Sequence, residues 1–374
     1  MSNLDHILLY VFLYSSCIVA DILTRNSKKS NNWIRFIYLP LIVSYIVTEG
    51  LRYGRGVDYF GYGPTYLRGV STEQPIFDLI NKLIRSIDIS TDLPYGICFI
   101  AYATIFILCL LFLYKGYKYS TKYFLLFACL ATLYMTEWTI RQGVSMSLFL
   151  PAIYFLSREK FVFSFCFAAL AVFTHYGNII SVVLLYMCFF VANKKPFPII
   201  ISIPLFLLFQ SFFELALPYI EAKISLLDIS FLKGNFQSYI NNATSNFGEN
   251  AIKEEWERGT YQQVITTSFY IGLMIIGYYY HKINKLNVYI YNAFIIGILV
   301  VEPFHQMGNI TRVFLLLSIL WFIPLSLAVF KWSILKKEWI NRIAMGVIVL
   351  YLLLYYGRYV FLNPTATYVW NITH

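Results

Sequence analysis

Apolar runs of about 15 to 22 residues recur from end to end of the chain, each closed by a short polar or basic segment, and lipid is the solvent that tolerates such a pattern. A run of that length crosses the hydrocarbon layer only as an α-helix, because a backbone in lipid has to satisfy its own N–H and C=O groups. The sequence therefore predicts an all-α fold, a polytopic transmembrane helical bundle, with residues 1–374 forming one integral membrane domain. Its 59% hydrophobic and 13% charged residues fit, since the charged share is about half that of a soluble protein. About twelve spans are expected, at 4–23, 34–50, 93–114, 123–138, 139–157, 161–174, 177–192, 197–214, 264–280, 288–303, 311–330 and 341–361. Two cuts divide nearly continuous apolar stretches, at Glu137–Gln142 and at His175–Asn178, because a polar group at mid-bilayer is costly.

The first run, Leu4 to Ala20, has no basic region before it and no small-residue cleavage site after it, so a span is expected there and not a removed signal peptide. All six cysteines lie within apolar runs, which predicts neither disulfides nor a Cys-based metal site.

Charge sets the orientation. The alternate connections 24–35, 115–122, 158–160, 193–196, 281–287 and 331–342 hold seventeen of the 29 Lys and Arg residues in short segments with almost no acids. The positive-inside rule puts that set in the cytoplasm and both termini outside. The net charge of +10 is thus an orienting signal, and no basic patch interleaved with aromatics indicates nucleic acid. Arg52, Arg55, Asp58, Glu73, Glu137, Arg141, His175, Glu302, His305 and Arg312 all fall on the outer side, so the chemistry is expected there. Two large extracytoplasmic loops are expected, about 51–92 and 215–262. In the first, Pro75–Ile87 has helical apolar spacing with Pro in the first turn and reads as an amphipathic helix on the membrane surface. The second opens on an amphipathic stretch, Leu215–Leu232.

Residues 48–62 concentrate the reactive side chains, with two arginines, two carboxylates, three tyrosines and four glycines in fifteen positions. A guanidinium fork matches phosphate or carboxylate, and adjacent glycines let backbone N–H groups approach the same anion, so Arg52 and Arg55 are read as ligand-binding, against simple headgroup anchoring. Asp58 suits proton abstraction from a sugar hydroxyl or, equally, the orientation of an arginine. Glu137 and Arg141 are four apart and pair if the stretch is helical; an arginine at a helix N-terminus is otherwise opposed by the dipole unless an anion binds there. His175, with a near-neutral pKa, is a candidate base or a hydrogen-bonded core residue. Glu302 and His305 at i, i+3 lack a third ligand and HExxH spacing, so no metal is expected and both are read as substrate contacts, with Arg312 placed like Arg141. Tyr53, Tyr59, Tyr62 and Tyr66 are candidates to stack on sugar rings.

These residues carry a resemblance. Arg52-Tyr53-Gly54-Arg55-Gly56-Val57-Asp58-Tyr59 resembles the R-x-x-x-G-x-D-Y element of EpsG-like proteins, which are Wzy-type polysaccharide polymerases. Glu73-Gln74-Pro75-Ile76-Phe77 resembles their E-P-x-F element, with Gln74 inserted between the Glu and the Pro. Thr139-Ile140-Arg141-Gln142-Gly143, Thr174-His175 and Asn309-Ile310-Thr311-Arg312 resemble the IRQ, H and N-x-x-R elements that follow in the same order. The resemblance implies a bacterial inner-membrane polymerase working on the periplasmic face without a cofactor. Donor and acceptor would both be undecaprenyl-pyrophosphate-linked oligosaccharides. Membrane lipids and a chain-length regulator protein would be its other partners. In that setting Asp58, His175 and Arg141 are the expected catalytic residues. Arg52, Arg55, Arg312, Glu137, Glu302, His305 and Tyr59 are the expected substrate contacts. Two alternatives stay open: a GT-C-like glycosyltransferase using a polyprenyl-phosphate sugar, and a flippase for the lipid-linked oligosaccharide.

Overall fold

The computed structural model describes residues 2–26, 36–56, 58–87, 98–224, 259–303, 308–362 and 367–371. The chain opens with α1 (Ser2–Asn26) and α2 (Leu39–Tyr45), which continues as a π-helical turn, Ile46–Gly50. A two-residue strand β1 (Arg52–Tyr53) leads to α3 (Asp58–Arg68) and α4 (Pro75–Ile87). Next come α5 (Cys98–Tyr117), α6 (Phe124–Trp138), α7 (Ile140–Leu156), α8 (Phe161–Thr174), α9 (Ile179–Val191) and α10 (Ile199–Ile224). The last part holds α11 (Thr260–Ile283), α12 (Val288–Val301), α13 (Gly308–Ser318), α14 (Phe322–Phe330), α15 (Trp332–Leu335), α16 (Trp339–Leu362) and β2 (Thr367–Tyr368).

Among the described residues four helices are long and apolar enough to cross a membrane: Asn3–Asn26, Cys98–Tyr117, Thr311–Phe330 and Trp339–Leu362. The last of these shows how the pattern follows lipid: Ile343, Val349, Leu350 and Leu353 of α16 all point outward from the fold, where only an apolar solvent would suit them. Seven further apolar helices are shorter, among them Ile140–Leu156, Phe161–Thr174 and Val288–Val301. The expected span 264–280 falls on α11, which is long but carries Thr, Gln, Tyr and His along its length and belongs to neither set.

Both soft cuts coincide with real breaks. Between α6 and α7 the chain turns at Thr139, with φ −127° and ψ 72°. Between α8 and α9 it turns at His175, extended at φ −153° and ψ 100°, through a 3₁₀ turn over Tyr176–Asn178. Two expectations differ in detail. The helix over 197–214 does not stop there but runs on to Ile224; of the rest of the expected loop, 225–258 lies outside the described residues and Thr260 already opens α11. Within the first loop, α4 forms where expected, but Asp58–Arg68 is helical too, although it contains two glycines and a proline. The reason is its buried face: Tyr59, Tyr62 and Tyr66 recur at helical spacing, and Tyr59 and Tyr66 pack with Phe77 and Ile84 of α4 and Phe99 and Tyr102 of α5.

Contacts tie the alternate connections to opposite ends. At one end Asp21 accepts from the Tyr114 hydroxyl (2.7 Å) and the Tyr123 N–H (2.8 Å), the Lys122 N–H donates to Ser326 O (3.0 Å), and the Asn292 amide donates to Ala192 O (2.7 Å) and Lys195 O (2.9 Å). That end gathers the basic connections. At the other end β1 pairs antiparallel with β2, Arg52 opposite Tyr368, and the Val369 N–H donates to Leu51 O (3.0 Å), so the C-terminal segment closes over the start of α1 and the end of α2.

Candidate functional site

The arginines of residues 48–62 are held inside the fold. Arg52 is 2% exposed; it donates to Glu49 Oε2 (2.8 Å) and to Thr136 O (2.6 Å), and its guanidinium lies over the Phe99 ring. Arg55, also 2% exposed, donates to His6 Nδ1 (2.9 Å), Thr48 O (2.8 Å) and the Tyr368 hydroxyl (3.3 Å), and pairs with Glu137 Oε1 at 3.5 Å. Its guanidinium sits between the rings of Tyr10 and Tyr368. The Tyr10 hydroxyl bridges Glu49 Oε1 (2.6 Å) and Glu137 Oε1 (2.8 Å), while the Tyr359 hydroxyl donates to Glu137 Oε2. Four helices, α1, α2, α6 and α16, are thereby tied by one charged knot. The turn that delivers Arg55 needs glycine: Gly56 has φ +89°, and a Cβ there would lie 1.8 Å from Glu137 O.

The structure gives these residues partners within the chain. Arg52, Arg55, Glu49 and Glu137 form one buried ion network, as charges this deep are costly unless paired. Glu137 pairs with Arg55 and not with Arg141, since the helix breaks at Thr139 between them. Tyr59 is 1% exposed and stacks on Phe99 with centroids 4.5 Å apart.

A second group forms where α3, α7, the α8–α9 turn and α13 meet. Asp58 opens α3, and its Oδ2 accepts from the Ile140 N–H (3.1 Å), the first residue of α7. The anion expected at the start of α7 is therefore supplied by the chain itself. Arg141, one residue on, lies over the Tyr62 ring with its guanidinium carbon 5.0 Å from the centroid. Arg312 is exposed in the first turns of α13. Burial pushes the Asp58 carboxyl above the usual carboxylate range, against the pull of Arg312, the Ile140 N–H and Arg141. His175 is pushed down to about 4, by burial first and then by Arg141 and Arg312, so its ring is neutral near pH 7. Burial raises the Tyr62 hydroxyl to about 12 against Arg141, and it keeps its proton. Asp58, Tyr62, Arg141, His175 and Arg312 thus share one electrostatic environment, two of them fixed cations.

Polar side chains brace this group. Gln142 Nε2 donates to Asn178 Oδ1 (3.2 Å) and to Arg312 O, and the Ser181 hydroxyl donates to Val313 O (2.5 Å), so α13 is fastened to α7 and α9 at the level of the arginines. Gly143, one turn into α7, makes the break tight: a Cβ there would lie 2.7 Å from Met135 O. A small cleft opens nearby between α2, α5, α6 and α7, lined by Tyr45, Phe99, Tyr102, Phe106, Ile140 and Val144 with Glu49 and Arg52 in its wall.

Glu302 is buried at the end of α12, and His305 lies outside the described residues, so that pair cannot be placed together. Among the described residues no three His, Cys, Asp or Glu side chains gather as a metal-binding group. Sequence reasoning did not single out Tyr62 above the other tyrosines, nor Gln142 or Asn178; the signal for Tyr62 was its place one helical turn after Asp58. No curated protein and no solved structure matches the chain. The family model described as "EpsG family" matches residues 7–371, from the first span through the C-terminal strand that closes over Arg55. The chain belongs to the EpsG family.

Proposed function

We propose that the chain is a glycosyltransferase-type polymerase that joins undecaprenyl-pyrophosphate-linked oligosaccharide repeat units at the periplasmic face of the inner membrane. Membership in a family of Wzy-like polysaccharide polymerases supports the coarse activity. The observation that carries the finer reading is the convergence of Arg141, Arg312 and Asp58 at the end opposite the basic connections. Two guanidiniums on the first turns of two helices suit the charge that grows on a departing pyrophosphate. Asp58 accepts from Ile140 through one oxygen, which leaves the other to take the proton of the acceptor hydroxyl. His175 is the poorer base, because a proton on it would add a third cation beside two arginines; neutral, it orients a hydroxyl. The bond formed joins the acceptor oxygen to the anomeric carbon of the donor, the bond broken is that carbon to pyrophosphate oxygen, and one direct displacement inverts the centre. In this reading the twelve apolar segments are spans, both termini are periplasmic, the exposed apolar face of α4 rests on the outer leaflet, and a chain-length regulator docks from outside.

The test is a glycan ladder from cells lacking the protein, complemented with each variant at matched membrane levels. Arg141→Ala and Arg312→Ala are expected to leave single repeat units and to reduce polymer at least about a hundredfold. Long chains from both variants would reject the reading.

A further inference from the structure

Hydrogen-bond directions in a buried chain of polar groups can be read from a member that has only one choice. Ala171 O can only accept, and the Ser145 hydroxyl donates its single hydrogen to it at 2.6 Å. The Ser145 oxygen is then an acceptor, and Asn178 Nδ2 donates to it at 2.7 Å. That fixes the Asn178 amide, so its Oδ1 faces Gln142 Nε2 at 3.2 Å. The same nitrogen gives its other hydrogen to Arg312 O. Turning the Gln142 amide over would set its oxygen against two acceptors. Both Gln142 hydrogens are committed, and its Oε1 has no partner although the residue is 2% exposed.

An oriented, buried carbonyl calls for a donor. Its residue follows Arg141 directly, and the amide nitrogen of the same side chain donates to the backbone oxygen of Arg312, at the junction of the two elements that carry the cations. A carbonyl has no attraction for phosphate, so its partner belongs to the neutral, hydroxyl-bearing part of the substrate. We infer that the Gln142 side-chain carbonyl is a recognition group for the saccharide, accepting a hydrogen from a hydroxyl or amide N–H of the sugar that enters between Arg141 and Arg312. This rests on the polymerase reading above. Gln142 is a specificity determinant and takes no part in the proton transfer.

The experiment uses full-length protein, isotopically labelled at the glutamine side-chain carbonyls, and an infrared difference spectrum on adding the lipid-linked repeat unit extracted from cells that lack this protein. One carbonyl band is expected to move to lower wavenumber. Gln142→Met, or Gln142→Asn if the first variant does not insert, is expected to remove that movement and to raise KM about tenfold or more with a smaller change in kcat. If the unit binds in an Arg141-dependent manner but no band assigned to Gln142 moves, the carbonyl is served by water and the inference is overturned while the polymerase reading stands. If wild type neither binds nor extends the unit, the polymerase reading fails and the inference falls with it.

Discussion

At the scale of single residues, Asp58 and Arg55 show how one short stretch supplies two kinds of charge. Burial outweighs the arginines at Asp58 and raises its carboxyl, so the folded chain disfavours the ionised form that a base requires. The sign follows: ionisation lowers stability above the ordinary carboxylate pKa of about 3.9, and Asp58→Asn removes that cost. Asp58→Asn is therefore expected to melt at or above the wild-type temperature while polymer synthesis falls about a hundredfold or more, measured by thermal unfolding in detergent beside the glycan ladder. Wild-type activity should fall on acidification at a higher pH than an ordinary aspartate would set. For His175 the sign is opposite in kind. Its folded value of about 4 lies under the ordinary 6.5, so the stability it contributes is present above 6.5 and is lost as pH falls toward 4. His175→Phe should flatten the acid side of a stability-against-pH curve, and an unchanged slope would remove His175 from that account. Both residues were legible in sequence as reactive groups at span boundaries, but the direction of each shift came from neighbours far away in the chain.

At the scale of elements, the decisive features are breaks and tight approaches. The α6–α7 break at Thr139 sends Glu137 inward to Arg55 and Arg141 outward to Tyr62. Arg55→Ala leaves Glu137 without its cation in a closed interior, a loss of about 3–5 kcal/mol. Arg52→Ala and Arg55→Ala should thus reduce folded protein in membranes, whereas Arg141→Ala and Arg312→Ala should insert and melt like wild type yet fail to polymerise. Size-exclusion profiles of the four variants separate the two classes, and a normal profile with lost activity for Arg55→Ala would return it to the ligand. Gly56→Ala is expected to fail in the same way as Arg55→Ala, since its Cβ meets the Glu137 carbonyl at 1.8 Å and its φ of +89° strains any L side chain. The break was legible, because a charged run interrupts an apolar one. The pairing was not, because helical spacing alone offers Glu137 and Arg141 as partners.

At the scale of the whole molecule, the proposed topology has the basic connections in the cytoplasm and the end where β1 pairs with β2 in the periplasm. Single cysteines placed at Thr72 and at Lys336 in a cysteine-free background should react with an impermeant thiol reagent from opposite sides, Thr72 from the periplasm; labelling from one side would refute the topology. Amino-acid order by itself determined that the chain is helical and membrane-embedded and where its two long apolar stretches break, because lipid imposes a length on every apolar run and a cost on every charge within it. Tertiary structure alone decided which partners each arginine takes. Arg52 and Arg55 stand beside glycines exactly as a phosphate site would, and only the arrival of Glu49, Glu137, Tyr10 and Tyr368 from distant parts of the chain turns them into an internal ion network. Partner choice among charges depends on distances between elements remote in sequence, and the packing of helices sets those distances.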